Sequence, residues 1–312
     1  MGTILVTGAF GQIGTELVPF LEKKFGKEHV IASDIRNVEG VFPGSRFRML
    51  DVSSRKDVSA VIREEDVTSI FHLAGILSAT GEKNPDLAFS VNLNGTYNIL
   101  AEARDLGVEK VLIPSTIGVF GTSTPKKGTP VETVIRPSTM YGITKISCEL
   151  LGEYFHSKFG LDVRGLRFPG IISYRTAPTA GTTDYSVEMF LHAIRGNPYS
   201  CYLKKDTGLP MMYMPDAINA MVQLCEADSA RLTRRTDYHV SAYSLTPGML
   251  EEAIRKHVPD FQVTYAPDFR EAIAEQWPES LDCSISSRDW GFSPKYGIEE
   301  TVIDMLENLR RD

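Results

Sequence analysis

The chain has 312 residues, enough for one large α/β unit or for a large domain with a smaller lobe. Its 42% hydrophobic and 23% charged residues are those of an ordinary globular protein. A net charge of −7 leaves no positive field to recruit phosphates, which excludes nucleic acid as a partner. The basic pairs Lys126-Lys127, Lys204-Lys205 and Arg234-Arg235 are short and separated by acids, and they read as solvated surface. No apolar run approaches the roughly 20 residues needed to span a bilayer, so no membrane partner is expected. Cys148, Cys201, Cys225 and Cys283 lie far apart with no Cys-x-x-Cys pair, pointing to unpaired thiols in a reducing compartment. The histidines show no ligand spacing, and no metal site is expected. Met1-Gly2 resembles a myristoylation start only superficially, since Val6 stands where a hydroxyl is needed. The first strand begins at once, leaving nothing over for a signal or transit peptide. The expected location is the cytoplasm, or the mitochondrial matrix for a form whose presequence has been removed.

The apolar run Ile4-Leu5-Val6 leads into Thr7-Gly8-Ala9-Phe10-Gly11-Gln12-Ile13-Gly14, and an amphipathic segment with Leu17, Val18, Phe20 and Leu21 follows. That order is strand, tight turn, helix. Such a turn lets backbone approach a pyrophosphate and aims a helix N-terminus at its charge. The spacing is GxxGxxG rather than GxGxxG, so a plain structural turn competes until Asp34 is added. Asp34 closes the apolar segment Val30-Ile31-Ala32-Ser33, where an acid would meet the ribose hydroxyls of an adenosine. Asn37 to Ser45 reads as a loop and Arg46–Leu50 as a third strand, ending at Asp51-Val52. Those two residues suit an adenine edge; alternatively, Asp51 caps the helix of Lys56–Glu64. Ser69–Leu73 is a fourth strand, followed by Ala74-Gly75, small enough to lie against a pyrophosphate and ribose. His72 reads as a packed strand residue rather than a catalyst. A long helical stretch runs from Asp86 to Leu106, and Lys110–Pro114 is a fifth strand. Continuous apolar strands alternating with helices demand a parallel sheet covered on both faces, with ligands at the carboxyl ends of its strands.

After strand five come Ser115-Thr116 and then Tyr141-Gly142-Ile143-Thr144-Lys145. On a helix the phenol and the ammonium share one face. A free phenol is a poor base at neutral pH; a nearby ammonium favours the phenolate, and a neighbouring hydroxyl can hold the substrate oxygen. Alone, this pair would be a helix-surface pair. Behind a dinucleotide fingerprint it is a catalytic one.

The combination of the turn at 7–14, Asp34, Asp51-Val52, Ser115-Thr116-x-x-Val119-Phe120-Gly121 and Tyr141-x-x-x-Lys145 resembles the extended short-chain dehydrogenase/reductase superfamily nearly end to end. The resemblance implies an α/β fold, a Rossmann-type doubly wound parallel sheet with a smaller C-terminal α/β substrate lobe. Residues 1–170 would form the NAD-binding domain, with later segments at about 215–245 returning to it. Residues 171–312 would form mainly the substrate-binding lobe. NAD is the implied cofactor, held by Gly8, Phe10, Gly11, Gln12, Ile13, Gly14, Asp34, Asp51, Val52, Leu73, Ala74, Gly75, Asn92, Tyr141, Lys145 and Pro169. Asp34 favours NAD over NADP because a carboxylate repels a 2′-phosphate, and Arg36 moderates that preference. The catalytic hydroxyl falls on Thr116, where many relatives carry Ser.

In the second half, Asp162–Phe168 is a sixth strand, followed by Pro169-Gly170. The polar stretch Thr176 to Tyr185 is hydroxyl-rich enough for a small zwitterion, or else is a loop whose Thr183 or Asp184 caps the helix of Val187–Ile194. Trp290 reads as core; Trp277, before Pro278, could line a pocket. Leu77–Glu82, Pro114–Ile117, Gly181–Tyr185 and the Trp277-Pro278 motif are similar to the metal-independent short-chain type of L-threonine 3-dehydrogenase within that superfamily. This implies L-threonine as substrate, with Ser78, Thr116, Tyr141, Thr182, Thr183 and Trp277 around it and Tyr141, Lys145 and Thr116 as the catalytic set. It also implies a homodimer through the helices near 85–106 and 141–159. The stripe Leu150, Leu151, Tyr154 and Phe155 suits that contact or an intrachain core equally. The competing readings are a nucleotide-sugar 4-epimerase or dehydratase gripping a diphosphate with Arg195, Arg231, Arg234 or Arg235, and a non-catalytic NAD-sensing regulator, which would show a broken Tyr/Lys pair.

Overall fold

The computed structural model describes residues 2–38, 40–178 and 181–311; Met1 and, in the 176–185 stretch, Thr179 and Ala180 lie outside these described residues. In chain order the first half comprises β1 (Thr3–Thr7), α1 (Gly14–Phe25), β2 (Val30–Asp34), β3 (Arg46–Met49), α2 (Arg55–Glu64), β4 (Val67–His72), α3 (Ser78–Lys83), α4 (Pro85–Ala88), α5 (Gly95–Asp105), β5 (Lys110–Thr116) and α6 (Met140–Phe159). The second half comprises β6 (Asp162–Phe168), β7 (Gly170–Ile172), α7 (Tyr185–Ile194), β8 (Tyr199–Cys201), β9 (Leu209–Tyr213), α8 (Met214–Glu226), β10 (Tyr238–His239) and β11 (Tyr243–Leu245). It ends with α9 (Pro247–Arg255), β12 (Val263–Tyr265), α10 (Phe269–Ala274), α11 (Ser284–Trp290) and α12 (Ile298–Leu309).

Seven strands form one parallel sheet in the order β3-β2-β1-β4-β5-β6-β10. The order reverses between β1 and β4, which puts a crevice at the carboxyl ends of those strands. Alternation along each strand feeds two cores. Ile4, Val6, Phe71 and Leu112 join α1 and α8 on one face; Leu5, Ile70, Val111 and Ile113 join α2, α5 and α6 on the other. A third core, built around Tyr185, Met189, Phe190, Tyr199, Leu250 and Met305, also takes in Ile117, Val119 and Phe120 from the turn after β5. The second-half residues outside the large sheet thus pack on the turn that follows β5. Among the described residues they add two small sheets, β11-β9-β7 and β12-β8.

Three local details differ from the sequence reading. Asp51 does not cap α2: Ser54 does, accepting from Asp57 N at 3.3 Å, while Asp51 Oδ1 holds Ser53. The helical stretch from Asp86 carries a π turn at Phe89–Asn94, with the backbone at Ala88, Asn94 and Gly95 helical on both sides. α7 begins at Tyr185 with no side-chain cap; Asp184 Oδ2 instead accepts from Gly181 N at 2.9 Å, closing the turn before the helix. Trp290 is core, edge-on to Tyr238 and tilted against Phe292. The stripe on α6 divides: Phe155 is buried and Leu151 packs on the same core, whereas Leu150 and Tyr154 stand exposed.

Candidate active site

The turn after β1 is shaped by close approach of backbone to backbone. Gly8 has φ of 67°, and a Cβ there would lie 2.6 Å from Ala74 N. Gly14 leaves no more room, its Cβ position being 2.6 Å from the carbonyls of Gly8 and Ala9. Gly8 therefore lets β1 and β4 end side by side, and Gly14 lets α1 start directly on the turn. α1 has no side-chain cap; Thr15 N and Glu16 N close onto Gly11 O and Ile13 O at 3.0 and 3.2 Å, which leaves Gly14 N at the helix start without an acceptor among the described hydrogen bonds. Phe10 is stacked between Phe42 and Phe47, each 5.4 Å away between ring centroids, which pins the loop after β2 to the turn.

Asp34 is buried and accepts from Phe10 N at 3.2 Å and from Arg36 N and Nε at 3.0 and 3.1 Å. The acid thus joins the glycine turn to the end of β2, and the Arg36 guanidinium lies across it.

A cavity of about 470 Å³ opens at the carboxyl ends of the strands. Of the cofactor candidates, Gly8, Phe10, Gly11, Gln12, Ile13, Gly14, Leu73, Gly75, Tyr141, Lys145 and Pro169 line it. Every substrate candidate does too: Ser78, Thr116, Tyr141, Thr182, Thr183 and Trp277. Asp34, Asp51, Val52, Ala74 and Asn92 do not line it. Val52 is in the core, where a Cβ on Gly95 would press into it at 2.8 Å, and Ala74 N donates to Thr7 Oγ1 at 3.3 Å. Asn92 sits one layer behind. Its Oδ1 accepts from Ile76 N at 2.7 Å and its Nδ2 donates to Ile76 O and Thr144 Oγ1, at 3.0 and 3.1 Å. It lies in the π turn, whose extra residue re-aims side chains, and it ties the segment after β4 to α6. The lining also takes in Arg36, Ile117, Thr176, Gly181 and Asp184, which the sequence reading placed in segments near the site without assigning them to cofactor or substrate.

Thr139 caps α6, accepting from Gly142 N at 3.1 Å. Gly142 lets the helix start dock on the turn after β5, since a Cβ there would lie 2.2 Å from Gly118 O. In that turn, a Cβ on Gly118 would stand 3.3 Å from both Thr116 Cγ2 and Tyr141 Cδ1. The Thr116 and Tyr141 side chains therefore flank the same turn, where Thr116 Oγ1 accepts from Gly118 N at 3.1 Å. Lys145 Nζ donates to Pro114 O at 3.1 Å and lies 5.9 Å from the centre of the Tyr141 ring.

Ser115 faces the other way, as the next residue of a strand must. Its hydroxyl donates to Glu149 Oε1, and Glu149 is gripped by Arg167 through Nε at 3.0 and 3.2 Å and Nη2 at 2.7 Å. Arg167 also donates to His239 Nε2 at 3.2 Å. Burial raises the Glu149 pKa, against the pull of Arg167 and Ser115. His239 is pushed down to about 3 by burial and then by the Arg167 charge. This anchor beneath the site was missed, although Glu149 repeats the four-residue step from Tyr141 to Lys145 and Arg167 is a charge inside an apolar strand. His72 is the packed residue expected, between Thr7 Oγ1 at 2.8 Å and Thr96 Oγ1 at 3.1 Å, its pKa driven to about 3 by burial and then by Lys145.

A doubly wound sheet, a glycine turn at its switch point and a Tyr/Lys pair facing the same cavity define a nucleotide-dependent dehydrogenase or epimerase. The chain belongs to the NAD dependent epimerase/dehydratase family, whose model matches residues 4–240. It is 45% identical over its full length to the full length of an uncharacterized epimerase/dehydratase of Staphylococcus haemolyticus. Among solved structures it is similar to the GalE-like L-threonine dehydrogenase from Cupriavidus necator in its holo form, at 45% identity and TM-score 0.97, over 98% of this chain and 99% of that one. The L-threonine dehydrogenase of Clostridium difficile matches at 43% identity and TM-score 0.97, over 100% and 98%. The chain is thus an oxidoreductase or epimerase of this family, with NAD as cofactor and a small molecule as substrate.

Proposed function

We propose that the protein oxidises L-threonine at its 3-hydroxyl to 2-amino-3-oxobutanoate with NAD. What carries this reading is that one cavity gathers Tyr141, Lys145 and Thr116 with Ser78, Thr182, Thr183 and Trp277. The residues fit the cofactor: Gly8, Gly11 and the uncapped start of α1 would hold the pyrophosphate, Asp34 the adenosine ribose, and Tyr141 with Lys145 the nicotinamide ribose. NAD supplies the nicotinamide ring that accepts the hydride. Tyr141, as phenolate, takes the proton of the substrate hydroxyl, and Thr116 hydrogen-bonds the same oxygen. The Lys145 ammonium, held by Pro114 O, stabilises the phenolate charge. Ser78, Thr182 and Thr183 hold the polar end of the amino acid, and Trp277 walls it from solvent. No step in this scheme calls on a metal.

The arginines count against the nucleotide-sugar alternative. Arg234 is spent on Asp237 and Glu132, Arg235 on Asp162 and Ser229, and Arg231 on Arg288 O. Neither these nor Arg195 lines the cavity, so none is placed to grip a diphosphate there. The same reading assigns the exposed Leu87, Phe89, Tyr97, Leu150 and Tyr154 to a homodimer contact.

The test is NAD reduction with threonine and serine, and analysis of the sugar product with UDP-sugars, side by side in the wild type and in Tyr141→Phe. Threonine is expected to be the substrate turned over, and the variant to lose turnover while still binding NAD. Wild-type rates in Tyr141→Phe, or turnover confined to UDP-sugars, would overturn the proposal.

A further inference from the structure

Trp277 belongs to the second half of the chain, yet its seat is made by the loop that joins the two catalytic segments. That loop begins at Gly121, after the turn that carries Thr116, and ends at Thr139, the cap of the helix that carries Tyr141. Trp277 lies in the turn after α10, its N–H donating to Ala274 O at 3.0 Å. Lys126 closes the other side of that turn. Its ammonium donates to Glu275 O at 2.6 Å and to Trp277 O at 3.0 Å, across 151 positions of sequence. The backbone continues the connection. Glu279 N and Ser280 N donate to Lys126 O at 2.7 and 3.2 Å, Thr129 N donates to Ser280 O at 3.0 Å, and Asp282 N donates to Thr129 O at 2.9 Å. Gly128 N donates to Ser280 Oγ at 2.8 Å, and upstream Ser138 Oγ donates to Gln276 Oε1 at 2.5 Å.

We infer that Lys126 is a positioning residue for the substrate end of the cavity: it ties the Trp277 wall to the Thr116–Tyr141 loop and so sets the fit of the amino acid. The inference rests on the proposed reaction for its kinetic arm only. A cation near the last carbonyls of a helix is favourable, and Glu275, whose carbonyl it bonds, directly follows α10. Without the ammonium, nothing among the described hydrogen bonds holds Trp277 O, and the wall keeps only the packing of the indole in the third core and the bond of its backbone N–H to Ala274 O. Lys127, the next residue, makes the control. It is exposed and, among the described residues, reaches only Glu279, at 3.7 Å.

The chain has two tryptophans, and Trp290 lies in the sheet core, so a Trp290→Phe background isolates the emission of Trp277. In that background, Lys126→Met should shift emission to the red and raise acrylamide quenching. It should raise KM for threonine about tenfold, the worth of one charge-assisted hydrogen bond, with kcat within about threefold and NAD binding unchanged. Lys126→Arg should restore both readouts, and Lys127→Met should leave both at the control level. If Lys126→Met does not fold, Ser280→Ala, which removes only the acceptor of Gly128 N, should move emission and KM in the same direction by less. Unchanged emission with unchanged KM overturns the inference, as does an equal fall in kcat and NAD affinity, which marks a general structural role. If the wild type does not oxidise threonine, the proposed function fails, while the emission arm still decides what Lys126 does to Trp277.

Discussion

The Glu149–Arg167 pair offers the most demanding check on how the site is supported. The two side chains are 5% and 2% exposed, and they share three hydrogen bonds in addition to the one Glu149 accepts from Ser115. Arg167→Met leaves a buried carboxylate with a single hydroxyl partner, and Glu149→Leu leaves a guanidinium with Val131 O at 3.4 Å, His239, the Phe120 ring at 5.4 Å and, as its nearest remaining carboxylate, Asp237 at 3.9 Å. Breaking such a pair from one side costs about 3–5 kcal/mol, because the orphaned charge remains desolvated. Arg167→Met should fall toward the lower end, since the carboxyl, already raised by burial, escapes by taking a proton. Glu149→Leu should fall toward the upper end, since arginine has no such escape. The double variant should cost less than the sum by about 2–3 kcal/mol, because no charge is stranded. Urea unfolding of the four proteins without NAD measures this cycle. Additive costs, or single substitutions costing under about 1 kcal/mol, would refute the argument.

Acid stability gives a second check. His72 and His239 are held near 3 in the fold by burial but take a proton near their ordinary value of 6.5 when unfolded, so each destabilises the protein as pH falls below 6.5. In His72→Gln, whose amide can bond both threonines, unfolding free energy should fall less steeply, by about 1.4 kcal/mol per unit between about pH 6 and 4. Equal slopes would contradict the assignment. For the cofactor, Asp34→Ser frees Arg36 from its carboxylate, so the ratio of kcat/KM for NADP over NAD should rise at least about tenfold. An unchanged ratio would show that Asp34 does not select the nucleotide.

The parts legible in the sequence are those set by local period. Glycine spacing marks the turn, alternation marks the strands, and a four-residue step places Tyr141 with Lys145. Between Ser115 and Thr116, both of which line the cavity, period alone says only that the side chains diverge; which hydroxyl turns into the interior depends on where α6 and β6 lie. The cap of α2 was missed because Asp51, Ser53 and Ser54 are all capping residues, and the register of the first turn selects Ser54. The Lys126 clamp was read as solvated surface, since a basic pair carries no sign of a partner some 150 residues away.

The three functional residues of α6 follow from the helix geometry that makes the first two recognisable. A step of four residues overshoots a full turn by about 40°, so Lys145 and Glu149 drift progressively round the axis from Tyr141 while descending about 12 Å in all. At Tyr141 the face meets the cavity beside Thr116. At Lys145 it reaches the edge of β5, where the ammonium takes Pro114 O while still lining the cavity. By Glu149 it has turned under the sheet's end and meets Ser115 and Arg167 in the interior. The proposed base, the cation and the anchor are thus three points on one slowly rotating stripe. The anchor binds the strand residue that directly precedes Thr116, so the register of α6 against β5 is held by the side of the strand opposite the chemistry. A change at Glu149 should therefore be felt as a displacement of Tyr141 relative to Thr116, without any contact to substrate.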